Sequence, residues 1–453
     1  MTMEAEVISR ECIRPSSATP LHLKIHKLSL LDQYVPPIYI PVVIYYPNQD
    51  TNLSPTDIIT QRLQLLKQSL SETLVRFYPL AGKMKDSLSI DCNDEGIYFV
   101  EALVQSPLDE FLNQPDLALI NKFLPGEASW SATPTPGTHV AMIQVTTFSC
   151  GGIVIGVFVS HMIADGNALS SFLKSWAATA RKNTDEAVPV PIFDNSTVFP
   201  PNDLFPREAT MMATVIPFFK IGRSVTRRYV FDASAIATLK AKATSSSVQN
   251  PTRVEAVSAL LSKCIMAVYK AKSDSNKPTL VSHAVNLRRR ATPPFSEYCM
   301  GNFLWKATAL FPNDEEAEVE SLVTQLRGAI REVNNDFLKS LEGDEGLSNL
   351  CKAVKHIGGA SSGEVDFIGF TSWCNFGLYE IDFGWGKPAW ASCVGTTEPN
   401  TVFMNMVILM DSNSKDGVEA WVNLGEEDMA ILEVDKELLA YVTLDPSPLR
   451  QFN

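Results

Sequence analysis

Of the six histidines in the chain, His161 has the neighbours that suggest chemistry: Asp165 follows four residues later, with Gly166 directly after it. An imidazole can take a proton from a hydroxyl near neutral pH, which is the work of a general base. A carboxylate four positions on admits two roles. It could orient the imidazole and stabilise its charged form, as the acid of a catalytic triad does, or it could point away across the turn and serve the structure alone. A metal site is a third reading, because His and Asp at i and i+4 share a helix face. It is set aside because no cysteine or histidine cluster lies nearby, and no metal is expected.

The elements around His161 must hold it firmly for either role. Gly151 to Val159 reads GGIVIGVFV, a short β-branched run bounded by glycine, and predicts a buried strand. Leu169, Phe172, Leu173 and Trp176 then recur at helical spacing and predict a helix from about Asn167 to Arg181. His161 therefore stands at a strand end before a turn, a rigid place from which to face a cleft.

A chain of 453 residues exceeds what one hydrophobic core usually serves, so two domains are expected. The composition, 45% hydrophobic and 20% charged, suits a soluble globular protein. A net charge of -13 argues against nucleic acid or an anionic membrane as partner, since both demand a basic surface. Residues Met1 to Ser17 show no apolar signal-peptide region, and the run Ile38 to Tyr46, which contains Pro41, is too short to span a bilayer. Eight scattered cysteines with no CxxC pair fit free thiols in a reducing compartment. The expectation is a cytoplasmic monomer.

In chain order, Tyr39 to Tyr46 predicts a strand. A helix capped at Thr56-Asp57 follows, with Ile59, Leu63, Leu66, Leu70, Leu74 and Phe77 on one face, and strands at Leu88 to Asp91, Ile97 to Ala102 and Val140 to Phe148. Prolines 189, 191, 200, 201 and 206 among polar residues mark 182–207 as a crossover linker between domains at 1–181 and 208–453. The second half opens with a strand at Arg228 to Phe231 and a helix from about Ser234. Thr252 caps a further helix bearing Val257, Leu260, Leu261, Cys264 and Val268. A long helix is expected from about Glu315 to Leu341, and a loop over Gly358-Gly359 and Ser361-Ser362-Gly363. Helices among strands without regular βαβ spacing point to α/β domains built on mixed sheets.

The HxxxDG pattern of His161, Asp165 and Gly166 pairs with Asp382-Phe383-Gly384-Trp385-Gly386 near the C-terminus. Together these resemble the motifs of the plant BAHD acyl-CoA-dependent acyltransferases, most closely the vinorine synthase-type branch of alkaloid and alcohol acetyltransferases. The resemblance extends through Tyr78-Pro79-Leu80-Ala81-Gly82, Val285-Asn286-Leu287-Arg288, Met300-Gly301-Asn302, Thr371-Ser372-Trp373 and Glu419-Ala420-Trp421, and so covers essentially the whole chain.

That resemblance implies two similar-sized mixed-sheet-plus-helix domains of the chloramphenicol acetyltransferase type, joined by a long crossover, with the active site in a tunnel at their interface. It implies an O-acyltransferase that moves an acyl group, most simply acetyl, from acyl-CoA to a hydroxyl of a plant specialised metabolite such as an alkaloid or terpenoid alcohol. His161 would be the general base, and Asp165 either a catalytic partner or the structural partner of Arg288. Thr371 and Trp373 would be candidates to donate to the developing oxyanion, and Thr252, Arg253 and Ser372 candidates for coenzyme A contact. The Asp382 to Gly386 run, with two positions lacking side chains, two aromatic wedges and an acid, reads as packing architecture. Acyl-CoA and a small-molecule alcohol are then the only partners, with no resident cofactor. Esters of volatile or benzylic alcohols, a benzoyl-type donor, or a non-catalytic binding protein on the same fold are the alternatives.

Overall fold

The computed structural model describes residues 3–127, 134–182, 188–272, 277–312, 318–360 and 364–449. Its two main sheets contain, in chain order, β1 (Glu6–Ile13), β2 (Tyr39–Tyr46), β3 (Ile97–Val104), β4 (Ala141–Phe148), β5 (Ile153–Ser160), β6 (Ser224–Phe231), β7 (Thr279–Asn286), β8 (Leu304–Phe311), β9 (Asp366–Ser372), β10 (Trp390–Ser392), β11 (Met406–Asp411), β12 (Val418–Gly425) and β13 (Thr443–Leu444). The first sheet runs β1-β3-β4-β5-β2-β10 and the second β8-β7-β9-β11-β12-β6-β13. Both are mixed: β3 lies parallel to β4, and β9 lies parallel to both β7 and β11.

The strand that carries His161 is central. β5 is flanked by β4 and β2, and every one of its residues is buried, which explains its unbroken apolar sequence. Helices α1 (Pro55–Leu74) and α2 (Gly166–Arg181) cover one face and pack on each other. The Trp176 indole of α2 donates to the Leu66 carbonyl and the Ser69 hydroxyl of α1. α1 is capped by Ser54, two residues before the cap expected from sequence, because the Ser54 hydroxyl reaches the Asp57 N–H while Pro55 occupies the first helical position, where no N–H is needed. In the second half, helix α3 (Arg253–Lys272) packs with helix α4 (Val319–Glu332) on the outer side of the second sheet.

Two helix expectations need correction. The long helix predicted over 315–341 is two helices: α4 stops at Glu332, and Asn334 caps a new one at Asn335–Ser340 by accepting from the Phe337 N–H. The same periodicity continues through both, so the hydrophobic pattern alone conceals the break. Gly358 and Gly359 lie within a helix, Gly346–Ala360, instead of a loop. A Cβ at Gly358 would lie only 3.1 Å from the Ala213 methyl, so glycine there lets the helix pack closely against Ala213, whereas a Cβ at Gly359 would meet nothing within 4 Å. Ser361, Ser362 and Gly363 lie outside the described residues, as do 183–187 of the crossover.

The crossover itself holds a short helix, Asn195–Val198, whose Asn195 and the adjoining Phe199 are buried. The chain also does not divide cleanly on either side of it. β10, far along the second half, pairs antiparallel with β2 of the first sheet. Residues Trp373, Leu378, Tyr379, Ile381, Phe383 and Trp390 join the hydrophobic core around β5 and α2. No helix among the described residues is long and apolar enough to cross a membrane.

Candidate active site

His161 is fixed through its backbone before its side chain makes any contact. Just past the end of β5, its N–H donates to the Ile38 carbonyl at 2.8 Å. Its own carbonyl accepts from the Asn302 amide at 2.6 Å. On the ring, Nδ1 is buried without a hydrogen bond, whereas the residue as a whole is partly exposed and lines a cavity between the two sheets. The Nε2 edge therefore faces that cavity. Burial holds the imidazole below its ordinary range, opposed by its own carbonyl, the Asp165 charge, Asn302 and the Ala164 carbonyl. A neutral imidazole open to a cavity is equipped to accept a proton.

Asp165 faces away from that ring. Its carboxylate accepts the Ala168 N–H at 2.9 Å, capping α2, and the Phe303 N–H at 3.0 Å. It also receives both guanidinium nitrogens of Arg288, at 2.7 and 3.1 Å. Arg288 is fully buried; its two terminal nitrogens also donate to the Cys299 and Gly301 carbonyls and Asn286, while its Nε is left unpaired. Of the two roles that spacing left open, the geometry is that of the structural pair: a buried bidentate ion pair joining the turn after His161 to the 286–303 segment.

Gly166 owes its place to close packing. A Cβ there would lie 2.8 Å from the Phe376 ring and 3.2 Å from Trp373 Nε1, so only glycine lets the indole approach the start of α2. Thr371 and Trp373 both line the cavity beside His161, on alternate positions of β9 and its extension. Ser372, between them, points elsewhere, and its hydroxyl meets the Cys374 N–H.

Thr252 and Arg253 are not brought to the cavity. Thr252 and Glu255 form a reciprocal cap at the start of α3. Arg253 pairs with Asp411 and donates to the Lys415 and Gly417 carbonyls. Asp411 in turn accepts the Asn375 N–H, so the group sits just beyond the Trp373 end of β9.

The Asp382 to Gly386 loop is remote from the cavity lining. Asp382 Oδ1 accepts the Gly384 N–H at 2.7 Å and the Gly386 N–H at 3.0 Å. Both glycines have φ near +105° to +109°, a region that side chains disfavour. Phe383 packs edge-on against Trp176 of α2 at 4.9 Å, and Arg181 at the end of α2 donates to the Asp382 carbonyl. The loop thus clamps the far end of the helix that begins at Asp165.

Sequence reasoning missed Asp32. It is fully buried and accepts from the Ser29 N–H and hydroxyl, the Asn195 amide, and both the N–H and the side-chain amide of Asn302. Because the same Asn302 amide reaches the His161 carbonyl, Asp32 and Asn302 together hold the turn that carries His161. An acid inside the apolar run Leu28 to Tyr34 was the available signal, and it needed a pairing partner 270 residues away to be interpretable. Tyr34, also unforeseen, lines the cavity with its hydroxyl buried and unpaired.

The cavity has an empty volume of about 1650 Å³ including its open mouth, and most of its lining is apolar. Such a space suits a bulky carbon skeleton oriented by a few polar groups. No group of three or more metal-ligating side chains occurs among the described residues.

Residues 3–439 match the family model described as "Transferase family". The chain is 57% identical to epi-neemfruitin B 7-O-acetyltransferase of Melia azedarach, over 99% of this chain and all of that one. It is 56% identical to limonoid 7-O-acetyltransferase of Citrus sinensis, with the same coverage. The crystal structure of vinorine synthase superposes with a TM-score of 0.80 at 35% identity, covering 97% of this chain and 98% of that one. A family match along almost the whole length, full-length relatives at this identity and a shared fold place the chain in the Transferase family, the BAHD acyltransferases, as an acyl-CoA-dependent O-acyltransferase.

Proposed function

We propose that the protein transfers the acetyl group of acetyl-CoA to a hydroxyl of a limonoid-type terpenoid alcohol, with His161 as the general base. The observation that carries this reading is His161 itself, a buried imidazole kept neutral with one edge open to a large apolar cavity. The substrate class is supported by the names of the two relatives at 57% and 56% identity. His161 takes the hydroxyl proton as the oxygen attacks the thioester carbonyl, forming the new C–O bond. Collapse of the tetrahedral intermediate breaks the C–S bond, and the imidazolium returns its proton to the departing thiolate. Thr371 and Trp373, which line the same cavity as His161, are the candidates to donate to the oxyanion. Eight cysteines without a disulfide fit a reducing compartment, and the cytoplasm is part of this reading.

The test is thiol release from acetyl-CoA with a panel of terpenoid, alkaloid, benzylic and aliphatic alcohols. Terpenoid alcohols should give acceptor-dependent release, and His161→Ala should lower turnover roughly 10²- to 10⁴-fold without loss of folded protein. Near-normal turnover in that variant would sink the mechanism, and preference for another alcohol class would replace the substrate.

A further inference from the structure

Lys306 stands on β8 and lines the same cavity as His161. It pairs across to Ala284 of β7, one residue beyond the position where His283 pairs with Phe370 of β9. Lys306, Ala284 and Thr371 are therefore in one row across the sheet, and the first and last are two strand spacings apart, roughly 10 Å. The cavity it lines is mostly apolar, with Val215, Leu304, Phe367, Met404 and Met406 in its wall and Ser282 two positions along β7 from Ala284.

An ammonium offers three hydrogens, yet Lys306 has a single long bond, to the Thr214 carbonyl at 3.4 Å. No carboxylate among the described residues pairs with it, and burial alone pushes it down to about 8. Glu127, the acid at this cavity, is exposed at its edge. A cation held in a mostly apolar space with one long hydrogen bond and no opposite charge costs stability, so the fold retains a donor that it does not fully satisfy. A rigid carbon skeleton bearing a carbonyl matches one donor among apolar walls, whereas a coenzyme A phosphate calls for several.

We propose that Lys306 is a specificity-determining residue that donates a hydrogen bond to a carbonyl oxygen of the acceptor and so selects which of its hydroxyls meets His161. This rests on the proposed acetyl transfer to a terpenoid alcohol.

The test compares wild type, Lys306→Met and Lys306→Gln on two tetracyclic terpenoid alcohols that differ only in a ring ketone against a methylene. Kinetics and equilibrium binding are measured in parallel. Removing a hydrogen bond to a charged donor should raise KM and Kd for the ketone roughly 10- to 100-fold in Lys306→Met. The methylene compound and the KM for acetyl-CoA should stay within about twofold. Lys306→Gln, which keeps a donor, should recover part of the loss. If wild type prefers the ketone in binding and Lys306→Met abolishes that preference, the inference stands even where neither alcohol is acetylated, an outcome that counts only against the terpenoid acceptor. Equal effects on both alcohols, a change confined to acetyl-CoA KM, or a loss in kcat with KM unchanged would each overturn it. A Met variant that fails to fold leaves the Gln variant, which must then discriminate less between the two alcohols than wild type does.

Discussion

At the scale of the residue, the chemistry depends on keeping one imidazole neutral and aimed. Burial lowers the affinity of His161 for a proton, so the general base proposed above would be in its working form at neutral pH. The sign follows directly: a base is lost by protonation, and a pKa lowered from 6.5 moves that loss to more acidic solution. The profile of kcat/KM against pH should therefore be flat through neutrality and fall with unit slope only below pH 6.5. An acid limb centred above that value would contradict the neutral, buried state of the ring. HxxxDG pointed to His161 from sequence alone because the motif is local. Spacing alone left the direction of Asp165 open, and the resemblance offered Arg288 as its structural partner; the contact itself, 123 positions away, is what decides it.

At the scale of the element, helix α2 is the device that holds the site, and it is fastened at both ends. Its start is Asp165, which caps it and pairs with Arg288; its far end is gripped by the Asp382 loop through Arg181 and by Phe383 against Trp176. Asp165→Ala leaves a buried guanidinium uncompensated and should cost about 3–5 kcal/mol, read as a lowered denaturation midpoint together with lost activity. An unchanged midpoint with abolished activity would move Asp165 into the chemistry. Gly166→Ala probes the same turn differently. Its new methyl must displace the rings of Phe376 and Trp373, so turnover should drop roughly 10- to 100-fold while far-UV circular dichroism stays that of wild type. Full activity in that variant would mean the Trp373 position is unimportant.

At the scale of the whole molecule, the two sheets are interlocked instead of merely adjacent. β10 leaves the second half to complete the first sheet, and Trp390 on it packs 5.5 Å from Trp421 of β12 and under Arg228. Arg228 and Glu419, both wholly buried, pair at 3.0 Å, and Tyr379 donates to the same carboxylate. Opening the cavity by hinging the halves apart would break this cluster, so substrates must enter through the existing mouth. Stability should also carry a pH signature. His26 and His283 are buried and pushed down to about 4 by burial. Between pH 6.5 and 4 the unfolded chain takes up these protons and the folded one does not, so stability must fall as the pH falls. Up to about 3 kcal/mol each is at stake. Denaturant midpoints at pH 7.5, 6 and 5 should decline in that order; a constant midpoint would show that these histidines are solvated.

The sequence by itself determined what depends on near neighbours. The buried β5 run, the strand-turn-helix around His161, the amphipathic faces of α1 to α3, and two glycine-bearing motifs are all set by periodicity and by side chains a few positions apart. Tertiary structure decided what depends on distant partners. Asp32 acquires a role only against Asn302, β10 only against β2, and Arg253 is held by Asp411 outside the cavity. The break at Asn334 and the helical Gly358-Gly359 pair also followed packing over local pattern. Lys306 shows the difference most plainly: in the sequence it is one lysine in a strand, and only the meeting of two sheets buries it, without a carboxylate partner among the described residues, in the cavity that His161 also lines. Local order is written in spacing, but burial and charge environment are properties of what folds back against a residue.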